Sequence, residues 1–166
     1  RFVDVVISIP TLIFALIVLS STGTSIFALV TVIAIIYAMP VYRIARAVAM
    51  DIEVMDYVEA ARLRGEGLWW IMRKEILPNA LTPLAAEFGL RFCFVFLLIS
   101  GLSFLGLGLQ PPLADWGAMV RDNGGGIAWG FMHPLVPATC IALLTIGINL
   151  IVDSVVQKAS GLREDH

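Results

Sequence analysis

The residues that could do chemistry are concentrated in one polar segment, residues 43–75. This segment holds six of the 11 basic residues of the chain, which are Arg43, Arg46, Arg62, Arg64, Arg73 and Lys74. The sequence has no Gly-x-x-x-x-Gly-Lys-Ser/Thr phosphate loop, so we do not expect the chain to hydrolyse ATP. It also lacks a His-Glu-x-x-His motif, a paired-cysteine motif and a serine nucleophile elbow. We therefore expect no catalytic residue, no bound metal and no other cofactor.

The middle of the polar segment has the residue types of a short helix. Asp56 can cap the free amides of the first turn, and Glu59 can reach back to complete a capping box. Ala60 and Ala61 follow, and their small side chains permit the close approach of another surface. Gly65 can adopt the left-handed conformation that ends a helix. The pattern predicts a compact helix that suits a protein interface with a polar rim.

The elements that must hold this helix are apolar enough to cross a membrane. Hydrophobic residues make up 59% of the chain, charged residues 14%, and the mean hydropathy is +0.91. Residues 5–42, 92–114 and 123–152 carry no charge, and a spanning helix needs about 20 apolar residues. The first stretch must reverse near Gly23, because a straight helix through it would be about 57 Å long and the hydrocarbon core is about 30 Å thick. We predict an all-α integral membrane protein with four spans, at about residues 2–19, 26–42, 80–107 and 134–155.

The distribution of positive charge orients these spans. The basic segment 43–75 is predicted to be cytoplasmic, because cytoplasmic loops carry an excess of Lys and Arg. The connections at residues 20–25 and 110–133 carry one Lys or Arg between them and are predicted to face outside. Four spans then place both termini in the cytoplasm. A second helical stretch, residues 68–77, is predicted to lead to the next span at Pro78.

Two sequence blocks resemble one family. The triplet Glu59-Ala60-Ala61, then Gly65, then the pair Leu77-Pro78 resembles the EAA loop of ABC importer permeases. Residues 101–119, which read GLSFLGLGLQPPLADWGAM, resemble a second block of the dipeptide, oligopeptide and nickel branch of that family. The resemblance extends over nearly all of the chain and implies part of a transmembrane domain with the type I importer architecture, whose core has two further N-terminal spans.

The resemblance implies a coupling role for the polar segment. In this family the short helix docks on a cytoplasmic ATP-binding subunit and transmits its closure to the membrane spans. The positions that match the family motif are Asp56, Tyr57, Glu59, Ala60, Ala61, Gly65, Leu77 and Pro78. On the residues alone, a Glu59 that only caps its own helix remains an alternative.

Partners and substrate are likewise implied by the resemblance. They are a second homologous permease, two subunits that use ATP and Mg²⁺, and an extracytoplasmic substrate-binding protein, in a bacterial or archaeal inner membrane. The expected function is import of di- or oligopeptides, with nickel or another small solute as an alternative in the same branch. The chain could instead be a non-transporting membrane scaffold or sensor, or a truncated gene product. The small net charge of −2 and the lack of a basic patch give no reason to expect nucleic acid.

Two polar pairs lie within the predicted spans. Glu87 and Arg91 are one helical turn apart, and a charge at the centre of a membrane helix costs about 2.5–3.5 kcal/mol on insertion scales. They can line the pathway, form a gate, or be a pair at the membrane interface. Asn149 and Asp153 share one face of the last span. The family often has glycine where Val152 stands, and helix packing is the favoured role for Asn149.

Glycines and tryptophans give further expectations. Gly101, Gly106 and Gly108 are expected to permit close crossing of helices within the membrane. Trp116 and Trp129 are expected to anchor the chain at the outer interface, where amphipathic aromatic rings are enriched.

Overall fold

The computed structural model describes residues 9–159, and side chains up to residue 157. Within that range the ordered elements are helical, which confirms the predicted all-α class. The α-helices are α1 (Thr11–Thr22), α2 (Ile26–Glu53), α3 (Asp56–Leu63), α4 (Leu68–Ile71), α5 (Leu77–Phe104), α6 (Trp116–Asn123) and α7 (Leu135–Ala159). A π-helical segment, Met72–Ile76, joins α4 to α5, and a 3₁₀-helix, Gly124–Trp129, follows α6.

Three helical rods in the described part of the chain are long and apolar enough to cross a membrane. They are Ile26–Glu53, Leu68–Phe104 and Leu135–Gln157, with 28, 37 and 23 residues. Helix α1 has 12 residues, fewer than the roughly 20 that a span requires. The structure therefore supports three of the four predicted spans. The first, predicted at residues 2–19, falls partly on residues 1–8, which lie outside the described range.

The predicted reversal near Gly23 is confirmed. Gly23 ends α1 with a positive φ of 89°, a conformation that glycine adopts without steric cost. Ser25 then starts α2, because its hydroxyl accepts a hydrogen bond from the Ala28 amide at 3.1 Å. The two helices and α5 bury one apolar cluster, made of Ala15, Leu19, Leu29, Val32, Ile33, Leu98 and Leu102.

Helix α2 is longer than predicted. The span was expected to end at Tyr42 and the polar connection to begin at Arg43, but the helix continues through Pro40 to Glu53. An interior proline removes one backbone hydrogen bond, which neighbouring groups can compensate in a membrane helix. Alanine-rich sequence then favours further helix, and Ile52 near its end is buried. The helix therefore extends 11 residues beyond Tyr42, the predicted end of the span, and takes up the first part of the polar segment 43–75.

Pro78 does not mark a junction either. Helix α4, the π-helical segment and α5 form one continuous rod, Leu68–Phe104. The amide of Leu77 donates to the carbonyl of Met72, five residues earlier, so the helix is locally widened where the proline ring would otherwise meet the carbonyl of residue 74. The side-chain amide of Asn79 donates to the Glu75 carbonyl at 2.6 Å. The π-helical turn thus lets the proline enter without breaking the rod.

Gly106 and Gly108 do not lie at a helix crossing, contrary to expectation. Helix α5 ends at Phe104, three residues before the predicted end of the span, and Gly106 has a φ of 89°. Its amide donates to the Ser103 carbonyl at 3.0 Å, and the amide of Leu107 donates to the Leu102 carbonyl at 2.8 Å, which together form a Schellman motif. A Cβ on Gly108 would lie 1.8 Å from the Ser103 hydroxyl oxygen. Both glycines therefore serve the turn that leaves the membrane rod.

Two glycines that were not predicted to serve packing, Gly89 and Gly117, lie where helices approach each other closely. A Cβ on Gly89 of α5 would lie 2.1 Å from a methyl carbon of Val152 on α7. A Cβ on Gly117 of α6 would lie 2.1 Å from the Ser100 carbonyl oxygen of α5. At Gly101, by contrast, a Cβ would meet the Leu12 side chain of α1 at an ordinary 4.0 Å. Helix α5 thus approaches α6 and α7 without space for a side chain at Gly89 and Gly117.

The Gly89 crossing gives a first prediction. We expect Gly89→Val to lower the free energy of unfolding by about 1–3 kcal/mol, because two β-branched side chains would overlap at the crossing. Gly147→Val is the matched control, since Gly147 also lies in a membrane helix and has nothing within 4 Å of the added Cβ. Denaturation of the purified variants in detergent measures both. Equal stability of the two variants would show that α5 and α7 do not cross at Gly89.

Candidate functional site

Helix α3 forms as predicted, but its first turn is not capped by Asp56. The N-cap residue is Met55, with extended backbone (φ −75°, ψ 144°) and no side-chain capping bond. Asp56 is the first helical residue, and the Val58 amide that it was expected to cap donates to the Met55 carbonyl at 2.9 Å. The Glu59 amide donates to the Met55 carbonyl at 3.2 Å. The predicted capping box is therefore wrong, although both carboxylates still lie where the helix dipole favours negative charge.

Gly65 ends α3 as predicted. Its φ is 84°, and its amide donates to the Arg62 carbonyl at 3.0 Å. The next amide, that of Glu66, donates to the Ala61 carbonyl at 3.2 Å. These two bonds form a Schellman motif, which fixes both the length of α3 and the direction in which the chain turns toward α4.

One face of α3 is seated on the rest of the chain. Val58 and Ala61 are both 0% exposed. They share a buried cluster, which we call the α3 seat, with residues from α2, α4 and α5, namely Ile52, Ile71 and Ala80. Of the Glu-Ala-Ala triplet, Ala61 therefore faces inward and contacts the membrane rods rather than a partner. Its small size allows α3 to lie close against them.

The opposite face of α3 is free. Tyr57, Glu59, Ala60 and Leu63 are exposed, and Leu63 is 84% exposed. The apolar residues of α3 are thus divided between the seat, which holds Val58 and Ala61, and the free face, which holds Tyr57 and Leu63. The free face combines a carboxylate, an aromatic ring, a small residue and a leucine, which suits a protein interface.

Two ion pairs join the C-terminal end of α3 to the rods on either side. An Arg62 Nη atom lies 2.5 Å from a carboxylate oxygen of Glu53 at the end of α2. Arg64 lies 3.7 Å from Glu75 in the π-helical segment, and its guanidinium is 6.0 Å from the centre of the Trp70 ring. Sequence reasoning missed these partners, which are nine and 11 residues apart along the chain, because contacts at such separations depend on how the segment folds back.

The Glu53–Arg62 pair gives a second prediction. We expect Glu53→Arg and Arg62→Glu each to destabilise the seating of α3, and the double swap to restore it. The coupling energy should be about 0.2–1 kcal/mol, the usual range for an exposed pair. A double-mutant cycle on unfolding free energies measures it, and strictly additive effects of the two changes would contradict a direct contact.

The remaining motif residues of the segment lie at the start of α5. Leu77 and Pro78 are both exposed and follow the π-helical segment directly. Their positions are therefore fixed by the continuous rod and not by α3. Helix α3 packs against α4 and the π-helical segment. That segment thus connects the Glu-Ala-Ala part of the motif to the Leu77-Pro78 part.

The two polar pairs of the spans have different surroundings. Glu87 and Arg91 are hydrogen-bonded to each other and have 12% and 23% exposed side chains. On α7, Asn149 is partly buried and Asp153 is exposed. Val152, between them in sequence, makes the crossing with Gly89, which agrees with a packing role for this part of α7. Among residues 9–159 no group of three or more His, Cys, Asp or Glu side chains could hold a metal ion.

The two candidate interface tryptophans also differ. Trp116 at the start of α6 packs edge-on against Phe96 of α5, with ring centres 6.2 Å apart. Trp129 is 81% exposed at the end of the 3₁₀-helix. Asp115 caps α6 by accepting a hydrogen bond from the Ala118 amide at 3.0 Å. The second sequence block, residues 101–119, thus forms the turn after α5 and the start of the short helix α6, which packs against the C-terminal part of α5.

Comparison with known proteins identifies the family. The sequence profile of the family described as binding-protein-dependent transport system inner membrane component matches residues 1–159. The chain is 34% identical over 154 residues to the di/tripeptide transport system permease protein DppC of Pseudomonas aeruginosa, which covers 92% of this chain and 50% of that protein. It is 34% identical over 156 residues to the dipeptide transport system permease protein DppC of Escherichia coli, covering 92% and 51%.

A third relative is named for a different substrate, glutathione. The glutathione transport system permease protein GsiD of Pectobacterium atrosepticum is 29% identical over 154 residues, covering 92% of this chain and 51% of that protein. The chain thus spans about half the length of the curated relatives that it matches. The family profile, which extends from the first residue through α7, and the relatives agree with each other. This chain therefore belongs to the family of binding-protein-dependent transport system inner membrane components.

Proposed function

We propose that the chain is part of a permease subunit of an ATP-driven peptide importer, and that α3 is its coupling helix. The observation that carries the proposal is the two-sided character of α3. Its inner face, Val58 and Ala61, is fully buried on the membrane rods, and its outer face is open. A short helix that is held firmly on one side and presents a free surface on the other can pass force from a partner to the rods.

The free face is the proposed contact for an ATP-binding subunit. Tyr57, Glu59 and Ala60 would meet that subunit, while the helix begins at Asp56 and the left-handed turn at Gly65 ends it. The partner, and not this chain, would bind ATP and Mg²⁺ and carry out hydrolysis. Movement of α3 would then reach α2 and the α4–α5 rod together, because the α3 seat contains residues from both sides, Ile52 and Ala80.

The transport cycle would be alternating access. A second permease would complete the translocation path, and a substrate-binding protein would deliver cargo from outside. Binding of ATP inside and of the loaded binding protein outside would shift the spans between inward-open and outward-open states, each ligand by its difference in affinity for the two. The polar segment with α3 would face the cytoplasm of a bacterial or archaeal cell, as its basic residues favour.

Peptides are the proposed cargo. The support is the naming of several relatives for dipeptides, di- and tripeptides and glutathione. The test is uptake of a radiolabelled dipeptide by proteoliposomes that contain the permease, its ATP-binding subunits and its binding protein. ATP-dependent uptake is expected. A scaffold or sensor would give no uptake with or without ATP, and that result would overturn the proposal.

A further inference from the structure

A second site lies on α5, in a rod long and apolar enough to cross a membrane, where Glu87 and Arg91 form an ion pair. The Arg91 guanidinium donates a hydrogen bond to the Glu87 carboxylate one helical turn away. Their side chains are 23% and 12% exposed, so both are largely withdrawn from the surface. Ionisable residues at such positions in a spanning helix usually face a pathway or a polar cavity, and not lipid.

Arg91 also reaches the neighbouring helix. Its guanidinium carbon lies 5.8 Å from the centre of the Tyr37 ring on α2 and 6.0 Å from the Phe94 ring. It borders a cavity of about 90 Å³ between α1, α2 and α5, whose lining includes Thr11 and Tyr37, two residues with hydroxyl groups. About 10–15 Å³ of such space, counted at the centres of water molecules, is enough to hold one water. The space therefore admits one small charged group beside the guanidinium.

The opposite flank of α5 has a different character. The groove between α5 and α7, with a volume of about 540 Å³, is lined mainly by apolar side chains such as Phe88, Phe92 and Ile151. A charged group entering there would lose its hydration without a charged partner. Of these two cavities beside α5, the one between α1, α2 and α5 has a charged residue, Arg91, in its lining.

We propose that Glu87 and Arg91 bind the charged termini of a peptide as it passes through the membrane. The guanidinium would take the terminal carboxylate, which its planar donor pattern fits, and the Glu87 carboxylate would take the terminal ammonium. A zwitterionic peptide can replace the internal ion pair by partner exchange, so no charge is left unpaired during passage. The proposal rests on the proposed function and adds the cargo class, peptides with both termini free.

The test uses photoaffinity labelling of the wild-type transporter, assembled with its ATP-binding subunits but without the binding protein. The probes are the dipeptide photoleucyl-alanine, its C-terminal amide and its N-acetyl derivative, each at millimolar concentration. We expect the free dipeptide to label α5 or the facing part of α2 at least fivefold more strongly than either blocked form. Equal labelling by all three, or labelling confined to other regions, would overturn the proposal.

Two variants and a control assign the roles. In Arg91→Gln the preference for a free carboxyl terminus should disappear, and in Glu87→Gln the preference for a free amino terminus should disappear. Arg121→Gln is the control, because Arg121 also pairs with a neighbouring carboxylate, that of Asp122, but lies on α6. Preferences retained in both site variants would overturn the assignment. ATP-dependent uptake of the same dipeptide by the complete system tests the import function separately, so the two failures are distinguishable.

Discussion

Gly65→Val should reduce ATP-dependent uptake about tenfold or more. Gly65 ends α3 with a φ of 84°, a region in which a β-branched residue is strained. The added side chain would have free space, so the strain comes from the backbone alone. Relief of that strain requires a change in the turn after α3, which would shift the helix on its seat and misplace the free face.

Gly67→Val is the matched control for this change. Gly67 lies two residues further on, also with nothing near an added Cβ, but its φ of −73° and ψ of 156° suit valine. Uptake by this variant should remain within about twofold of the wild type. Uptake in proteoliposomes measures both variants at equal amounts of assembled transporter. Equal activity of the two would show that the end of α3 does not need its left-handed turn for coupling.

Ala60→Trp should prevent the ATP-binding subunits from co-purifying with the permease, with little change in its stability. Ala60 is exposed on the free face of α3, so a large side chain there can be accommodated by the isolated chain but would hold a docked partner away. Uptake should fall in parallel, because no partner is engaged. Co-purification from detergent extracts and thermal denaturation of the purified permease measure the two effects.

The neighbouring change, Ala61→Trp, should give the opposite pattern. Ala61 is fully buried in the α3 seat, so the added ring would overpack the cluster and cost about 1–3 kcal/mol or more of stability. The denaturation midpoint should fall for Ala61→Trp and stay unchanged for Ala60→Trp. Loss of stability in both variants, or in neither, would contradict the assignment of the two alanines to opposite faces.

The existence of α3 and its end at Gly65 were predictable from local sequence, but the capping of its first turn and its orientation were not. An acidic first turn, small residues and Gly65 together specify a short helix with a left-handed end. Which side of an eight-residue helix is buried depends on residues far away in sequence, Ile52, Ile71 and Ala80. For the same reason sequence reasoning assigned Ala60 and Ala61 the same role, as small residues that permit close approach of another surface, whereas Ala61 is buried in the seat and Ala60 is exposed.

The errors at helix ends have a common physical origin. The second span was predicted to end at Tyr42 and Pro78 to mark the junction with the third, but α2 continues to Glu53 and a π-helical turn accommodates Pro78 within one rod. Both outcomes depend on neighbouring groups that satisfy or redirect backbone hydrogen bonds. Gly106 and Gly108 were assigned to a helix crossing, although a glycine at φ 89° instead ends the helix. The identity of a glycine or proline was informative in each case, and its tertiary surroundings decided its use.

Cysteine crosslinking between α3 and an ATP-binding subunit tests the coupling role most directly. A cysteine at Ala60 should form a crosslink to that subunit with a short thiol-specific reagent, whereas a cysteine at Ala61, in the seat, should not. The yield at residue 60 should change when ATP is added, because closure of the subunits moves α3. No crosslink from residue 60 in an assembled, ATP-hydrolysing transporter would contradict the account.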